Sequence, residues 1–455
     1  MNSASPDGGT ADVANPDDNR DNKPVYTVWH GYDVVLTKNR DGGHTRSESN
    51  TTENYPQAAA HAKPTSHHGA KSSSSWRRMS SGDDYGWLRQ LDLRSDVPDM
   101  DEIRNWSFDV LVFEDTVLIE VFIKMLEYYN FLEKFQLDRK TLERYCGEVM
   151  ARHHKDGYYQ KYDIEKNSVT EECKPEVLCE YHSWYHAVAC AHVSFLFLSL
   201  GGADGHLDPI EQFCIIMGAL IHDLDHPGTN NDFEVKRNTS LAKLYDNDAV
   251  LERHSINVGL NMCLENPDLD WWKSFQDEKD REYMKKYISE SILATDPAKH
   301  ASIVKEALSF VEKGPPYFNK NDPQHRIFIG RLILHSADIT NPLHSSFEVA
   351  SDWAIRVVTE FDKQAKREKE LQLPVTSFMD GLDNQVSIAK TQIGFYQFML
   401  KPLFNTVGIF FPALKMLEDW GEMNCVEYQK VIDDHDKECA KKLPYGSKTE
   451  GETPF

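Results

Sequence analysis

From Trp106 to about residue 440 the sequence returns to one pattern: apolar residues three and four positions apart, with polar residues between them. That spacing places the apolar side chains on one face of an α-helix, and it is not the alternation that a half-buried strand requires. The segments "TLERYCGEVMARHH", "YMKKYISESILA", "ASIVKEALSFVEK", "SDWAIRVVTEFDKQAKREKE" and "EYQKVIDDHDKECAKKL" all show it. "HVSFLFL" is apolar all round and predicts a helix buried on every side. Strand-type alternation and glycine-turn hairpins are almost missing, and no internal repeat emerges. The expectation is one all-α, multi-helix domain over residues 97–442, followed by a polar tail, 443–455. Residues 1–96 are rich in Ser, Asn, Asp, Gly, Pro and His, which predicts a mostly disordered region with a short strand at "YTVWHGYDVVL".

With 40% hydrophobic residues, among them 22 Phe, 19 Tyr and 9 Trp, the 455-residue chain can build a large core. Its formal charge of −23 makes nucleic acid and anionic lipid unsuitable partners. An anionic substrate would need local compensation, such as a bound cation. Eight scattered cysteines without a CxxC pair predict a reducing compartment. The N-terminus has neither the basic nor the apolar part of a signal peptide, Asn2 excludes N-myristoylation, and no apolar stretch reaches membrane-spanning length. The chain therefore reads as cytoplasmic. In the polar N-terminal region, Arg77, Arg78 and Ser80 form an Arg-Arg-x-Ser string, which makes Ser80 a candidate phosphosite for a basophilic kinase.

Three segments concentrate imidazoles and carboxylates on apolar helices. "YHSWYHAVACAH" holds His182 and His186 four apart, on one face if both are helical. "IHDLDHPGTNN" holds His222, Asp223, Asp225 and His226 where an apolar run ends at Pro227-Gly228. "RLILHSADITNPLH" holds His335 and Asp338 before Asn341-Pro342. Each buried polar group needs a partner. A buried His–Asp hydrogen-bond network would provide one. A metal centre provides another: His186, His222, Asp223 and Asp338 are two nitrogen and two oxygen donors, with water filling the remaining positions as a catalytic site requires.

The blocks "YHSWYHA", "HDLDHPGTNNDF", "LAKLYDNDAVLERH", "ILATDPAKH", "HSADITNPL" and "KTQIGFYQFMLKPLF" resemble, in order and spacing, those of the class I cyclic nucleotide phosphodiesterase catalytic domain, an HD-superfamily fold. The resemblance covers residues 100–440. It implies hydrolysis of cAMP and/or cGMP to nucleoside 5′-monophosphates by a hydroxide held between two cations. It assigns His186, His222, Asp223 and Asp338 to a tight Zn²⁺ site, with Asp223 bridging to Mg²⁺ or Mn²⁺. His182 matches the general acid for the leaving O3′, and Glu360 matches the carboxylate that orients it. His226, Asn231 and Glu252 match groups around the metal waters, and Tyr181 a pocket-lining residue. Asp225 is left either as another such group or as a capping carboxylate.

In "WAIRVVTEFDKQ" Trp353, Val357, Glu360, Phe361 and Gln364 share a helical face, and in "KTQIGFYQFM" Gln392, Phe395, Tyr396 and Met399 share another. Trp353 and Met399 read as core. The resemblance makes Gln392 the purine-reading amide and Phe395 an aromatic clamp, with Val357 and Phe361 opposite and Asn341 facing the base. Ser183, Asp246, Ser255 and Pro297 depart from the residues common in the family. These departures place the chain in no particular subfamily and leave the substrate preference open. Two other readings stand beside this one: a different HD-type nucleotide phosphohydrolase, and a silent cyclic-nucleotide-binding scaffold. The purine-clamp block speaks against the first, and the intact set of four donors against the second. Oligomeric state has no signature in the sequence.

Overall fold

The computed structural model describes residues 91–154, 161–163, 168–170 and 179–442. Ser80 and the expected strand at residues 26–36 lie outside these residues. The described chain is all-α apart from one short antiparallel hairpin, in which Lys161–Asp163 pairs with Ser168–Thr170. The periodic segments of the sequence correspond to helices, including Arg139–His154, Glu278–Leu293, His300–Lys313, Phe347–Glu370 and Met416–Lys442. No described helix is long and apolar enough to cross a membrane.

Three helices that pack on one another position the candidate donors: Trp184–Ser199, Pro209–Ile221 and Pro323–Asp338. The first contains "HVSFLFL", and almost all of its side chains are buried. The second begins with a reciprocal cap. Asp208 serves the backbone of the first turn, Glu211 reaches back to the Asp208 N–H at 2.8 Å, and Pro209 occupies a position where no N–H is needed. It ends with His222 as C-cap, so its buried apolar turns deliver a ligand-type residue at the point where the helix stops. The third carries the buried run Leu332–Leu334 just before His335, and Asp338 is its last residue.

The Val250–Glu265 helix lies against this end of Pro209–Ile221 because Gly259 lets it approach. A Cβ on Gly259 would sit 2.7 Å from Ile221 Cδ1, next to His222 in the chain. The Tyr145 hydroxyl fixes the same point by donating to the Gly259 carbonyl at 2.8 Å. On the far side, Gln385–Phe395 runs into a single π-helical turn, Tyr396–Leu400, before Lys401–Phe410. Pro402 explains the widened turn, since it has no N–H and its ring crowds the carbonyl one turn back.

Candidate active site

His186 leaves the first turn of Trp184–Ser199, His222 and Asp223 leave the end of Pro209–Ile221, and Asp338 ends Pro323–Asp338. One donor atom from each comes within 4.8 Å of the other three. His186 Nε2 is 3.0 Å from Asp338 Oδ1 and 3.3 Å from Asp223 Oδ2. His222 Nε2 is 3.0 Å from Asp223 Oδ2 and 3.3 Å from Asp338 Oδ1. Burial alone would raise both carboxyls, but the neighbouring imidazoles, His222 foremost for Asp223 and His186 for Asp338, hold them below the usual carboxylate range. For His222 burial works downward, but the charge of Asp223 together with the hydrogen bonds to Asp223 and Asp338 drives the imidazole up.

This cluster fits a cation better than a hydrogen-bond network. His222 Nδ1 lies 2.8 Å from the Ala219 carbonyl and donates to it, so Nε2 is the nitrogen that faces the two carboxylates. Asp223 Oδ2 is buried and accepts no hydrogen bond of proper geometry. A buried carboxylate oxygen without a donor is costly unless an ion meets it. His186 is held by its surroundings: the Tyr181 ring lies 4.4 Å from it, and the Asn341 amide nitrogen is 3.5 Å from its Nδ1. Tyr181 in turn donates to the Asp338 carbonyl at 3.3 Å and accepts from Asn341 at 3.1 Å.

A second group, His182, His226 and Glu360, stands beside the first, with the His182 and His186 ring centroids 5.7 Å apart. Glu360 Oε1 is bonded to His182 Nδ1. Its Oε2 accepts from the backbone N–H groups of Tyr181 at 3.0 Å and His182 at 3.3 Å. Burial acts to lower His182, but the negative charges of Glu360 and then Asp223 carry it up to about 9. His226 stacks on the same ring at 3.8 Å. Burial, reinforced by the His182 charge, pushes His226 down to about 3, so it remains neutral and accepts from the Gly228 N–H at 3.1 Å. The His182 side chain is 21% exposed, which leaves its outer edge reachable.

Asn231 begins the next helix and donates to both Glu252 oxygens, at 3.0 and 3.2 Å, while accepting from the Leu251 N–H. Burial pushes the Glu252 carboxyl up to about 7 against the Asn231 bonds that lower it. Asp225 adopts a left-handed backbone, φ 62°, and its carboxylate meets Arg152 and His254, each at 3.5 Å. It therefore ties the 222–226 loop to two other helices and is not a capping carboxylate. Val357 and Phe361 lie on the Phe347–Glu370 helix and pack against Leu382 and Ile388. Ile388 lies one turn before Gln392 on the Gln385–Phe395 helix. Gln392 is buried and its Oε1 has no partner, while Phe395 is half-buried against the core. The contacts of Asn341 turn its amide toward the His186 side of the site.

One expectation is corrected. His182 does not share a helical face with His186, because the helix begins at Trp184 with Ser183 as N-cap. The chain bends at this point, the Ser183 N–H bonding the Tyr181 carbonyl at 2.7 Å, and Glu360 gathers the Tyr181 and His182 backbone. The two rings meet through this bend. The Arg152 and His254 contacts to Asp225 also escaped the sequence, which offers only an unremarkable "ARHH" and "ERH" as their signal.

Residues 181–419 match the family model described as 3′5′-cyclic nucleotide phosphodiesterase. The chain is 28% identical over 367 residues to the high affinity cGMP-specific 3′,5′-cyclic phosphodiesterase 9A of Pan troglodytes, covering 78% of this chain and 56% of that protein. It is 27% identical over 324 residues to the high affinity cAMP-specific and IBMX-insensitive 3′,5′-cyclic phosphodiesterase 8A of Mus musculus, covering 67% and 36%. These curated relatives thus extend well beyond the part matched here. The crystal structure of the phosphodiesterase domain of Salpingoeca rosetta rhodopsin phosphodiesterase superposes with a TM-score of 0.67 at 26% identity, covering 76% of this chain and 98% of that one. The family model spans the helices that carry both clusters and the amide of Gln392, and the chain belongs to the 3′,5′-cyclic nucleotide phosphodiesterase family.

Proposed function

We propose that this protein hydrolyses cAMP and/or cGMP to nucleoside 5′-monophosphates. The observation that carries the reading is the placement of His182, backed by Glu360, beside the four converging donors His186, His222, Asp223 and Asp338. In this reading the four donors hold Zn²⁺, as two imidazoles and two carboxylates suit that ion. Asp223 would also offer a carboxylate oxygen to a second divalent cation, Mg²⁺ or Mn²⁺. Cations held there stabilise the phosphoryl charge and make water a nucleophile near neutral pH.

The chain's own residues supply the rest. His182 Nδ1 is engaged by Glu360, so its proton for the leaving O3′ sits on Nε2. Proton donation to an alkoxide leaving group contributes about 10²–10⁴ in rate. Neutral His226 stacks on the ring and fixes its plane without competing for that role. Asn231 and Glu252 form one hydrogen-bonded unit that would bond the waters of a bound metal. Gln392, with a buried oxygen and no partner for it, reads the base, while Phe395, Val357 and Phe361 wall the pocket. An amide can turn to match either purine. One relative is named for cGMP and another for cAMP, and both substrates therefore stay within the reading. Initial rates with cAMP and cGMP, measured side by side on metal-loaded protein, test it: hydrolysis of at least one is expected, and hydrolysis of neither defeats it.

A further inference from the structure

The Arg139–His154 helix contributes nothing to either cluster described above, yet its last turn reaches the loop that carries Asp223. Arg152 anchors that turn. Its Nε lies 3.0 Å from Glu148 on its own helix, and its Nη1 lies 3.5 Å from Asp225 on the loop. His254 holds Asp225 from the other side at 3.5 Å. The turn and the loop are therefore fixed to each other within two residues of Asp223.

The next residue, His153, has a ring nitrogen, Nε2, sealed from solvent and without a hydrogen-bond partner. An orphaned imidazole nitrogen is expensive in a protein interior, and water or an ion normally repays it. Burial keeps the ring neutral, its pKa down near 4. Of the charged groups acting on it, Asp223 is foremost, followed by His222, Asp225 and His186. Two buried atoms that make no hydrogen bond of proper geometry, His153 Nε2 and Asp223 Oδ2, thus belong to one electrostatic neighbourhood. A neutral imidazole can either accept a proton bond from water or donate one.

We infer that His153 is a positioning residue for the metal centre, its Nε2 bonding a water that completes the shell of the more weakly held divalent cation at Asp223. This rests on the metal reading given above. Partners of that kind set metal affinity by about 10–100-fold in well-studied sites. Arg152 keeps His153 in place through Asp225, which gives that carboxylate a purpose other than ligation.

The test is Mn²⁺ binding by the full chain, followed by the electron paramagnetic resonance of free Mn²⁺ after the tight site has been filled with Zn²⁺. His153→Leu should weaken Mn²⁺ binding about tenfold or more while Zn²⁺ content and helical signal remain those of the wild type. His153→Gln, whose amide reaches a similar point, should recover most of the affinity. Wild-type Mn²⁺ affinity in His153→Leu overturns the inference, as does equal weakening in both variants, which marks a packing role. Wild-type protein provides a check that is independent of variant folding: Mn²⁺ should broaden the His153 ring resonances, and unbroadened resonances at saturation count against it. Wild-type protein that holds no tight metal at all overturns the metal reading and this inference together.

Discussion

Glu360 binds His182 at the ring and at the backbone: one carboxylate oxygen bonds His182 Nδ1, and the other accepts the His182 N–H at 3.3 Å. The carboxylate thereby fixes the tautomer, the orientation and the charge of the imidazole together. It is the charged neighbour that raises His182 most. A general acid works while protonated, and Glu360 holds that proton above the ordinary imidazole range, so the rate should stay level through neutral pH and fall at alkaline pH. Glu360→Gln removes the charge that supports the proton. Its alkaline limb should move toward the ordinary imidazole range, with at least a tenfold loss of kcat at pH 8. A pH–rate profile of the two proteins decides this, and coincident alkaline limbs would reject the role of Glu360.

The two clusters should separate by metal content. Asp338→Ala removes a donor that faces both His186 and His222, so tight metal and nearly all activity should be lost while helical content is kept. His182→Ala should retain the metal and lose about 10²–10⁴ in kcat. Elemental analysis beside circular dichroism reads both, and metal loss in His182→Ala would make it a ligand.

Gln392 predicts a binding defect of a different form. Its oxygen has no internal partner, so Gln392→Ala breaks nothing in the fold through that atom and removes a contact to the base. The expected result is a rise in KM of about tenfold, the size of one hydrogen bond of roughly 1.5 kcal/mol, with kcat largely kept. Steady-state kinetics on cAMP and cGMP measure it, and a loss confined to kcat would remove Gln392 from base reading.

His192 gives the fold a pH dependence of its own. It is buried, and its Nε2 donates to the Ile103 carbonyl at 2.6 Å. Burial pushes its pKa down to about 4 from 6.5, against the pull of that carbonyl. The unfolded chain therefore binds a proton at His192 more readily than the folded one. That contribution to stability is intact above pH 6.5, fades as pH falls from 6.5 toward 4, and totals roughly 3 kcal/mol. His192→Gln should lose stability less steeply over this window in urea titrations. Parallel pH curves would show that His192 does not titrate on unfolding.

Some of this was visible in the sequence because it is local. The apolar periods located the helices, and the pairing of His222 with Asp223 at the end of one, and of His335 with Asp338 at the end of another, marked where ligand-type residues emerge. The bend that takes His182 out of its helix was hidden, because spacing alone does not say where a helix begins. Ser183 as N-cap and the pull of a glutamate 178 positions away decide that. The Arg152–Asp225–His254 tie and the orphaned His153 were hidden for the same reason, since each exists only after distant segments have packed. Gly259 carries no signal until the helix it admits is seen against Ile221.

The central claim is that the donors His186, His222, Asp223 and Asp338, with His182 beside them, cleave the cyclic phosphodiester at O3′. Hydrolysis in ¹⁸O-labelled water by the metal-reloaded full chain tests this directly, with products identified by mass spectrometry. The account predicts nucleoside 5′-monophosphate with the label in the phosphate, and loss of turnover after chelation. An unchanged cyclic nucleotide, a 3′-monophosphate, or turnover that survives removal of the metal would contradict it.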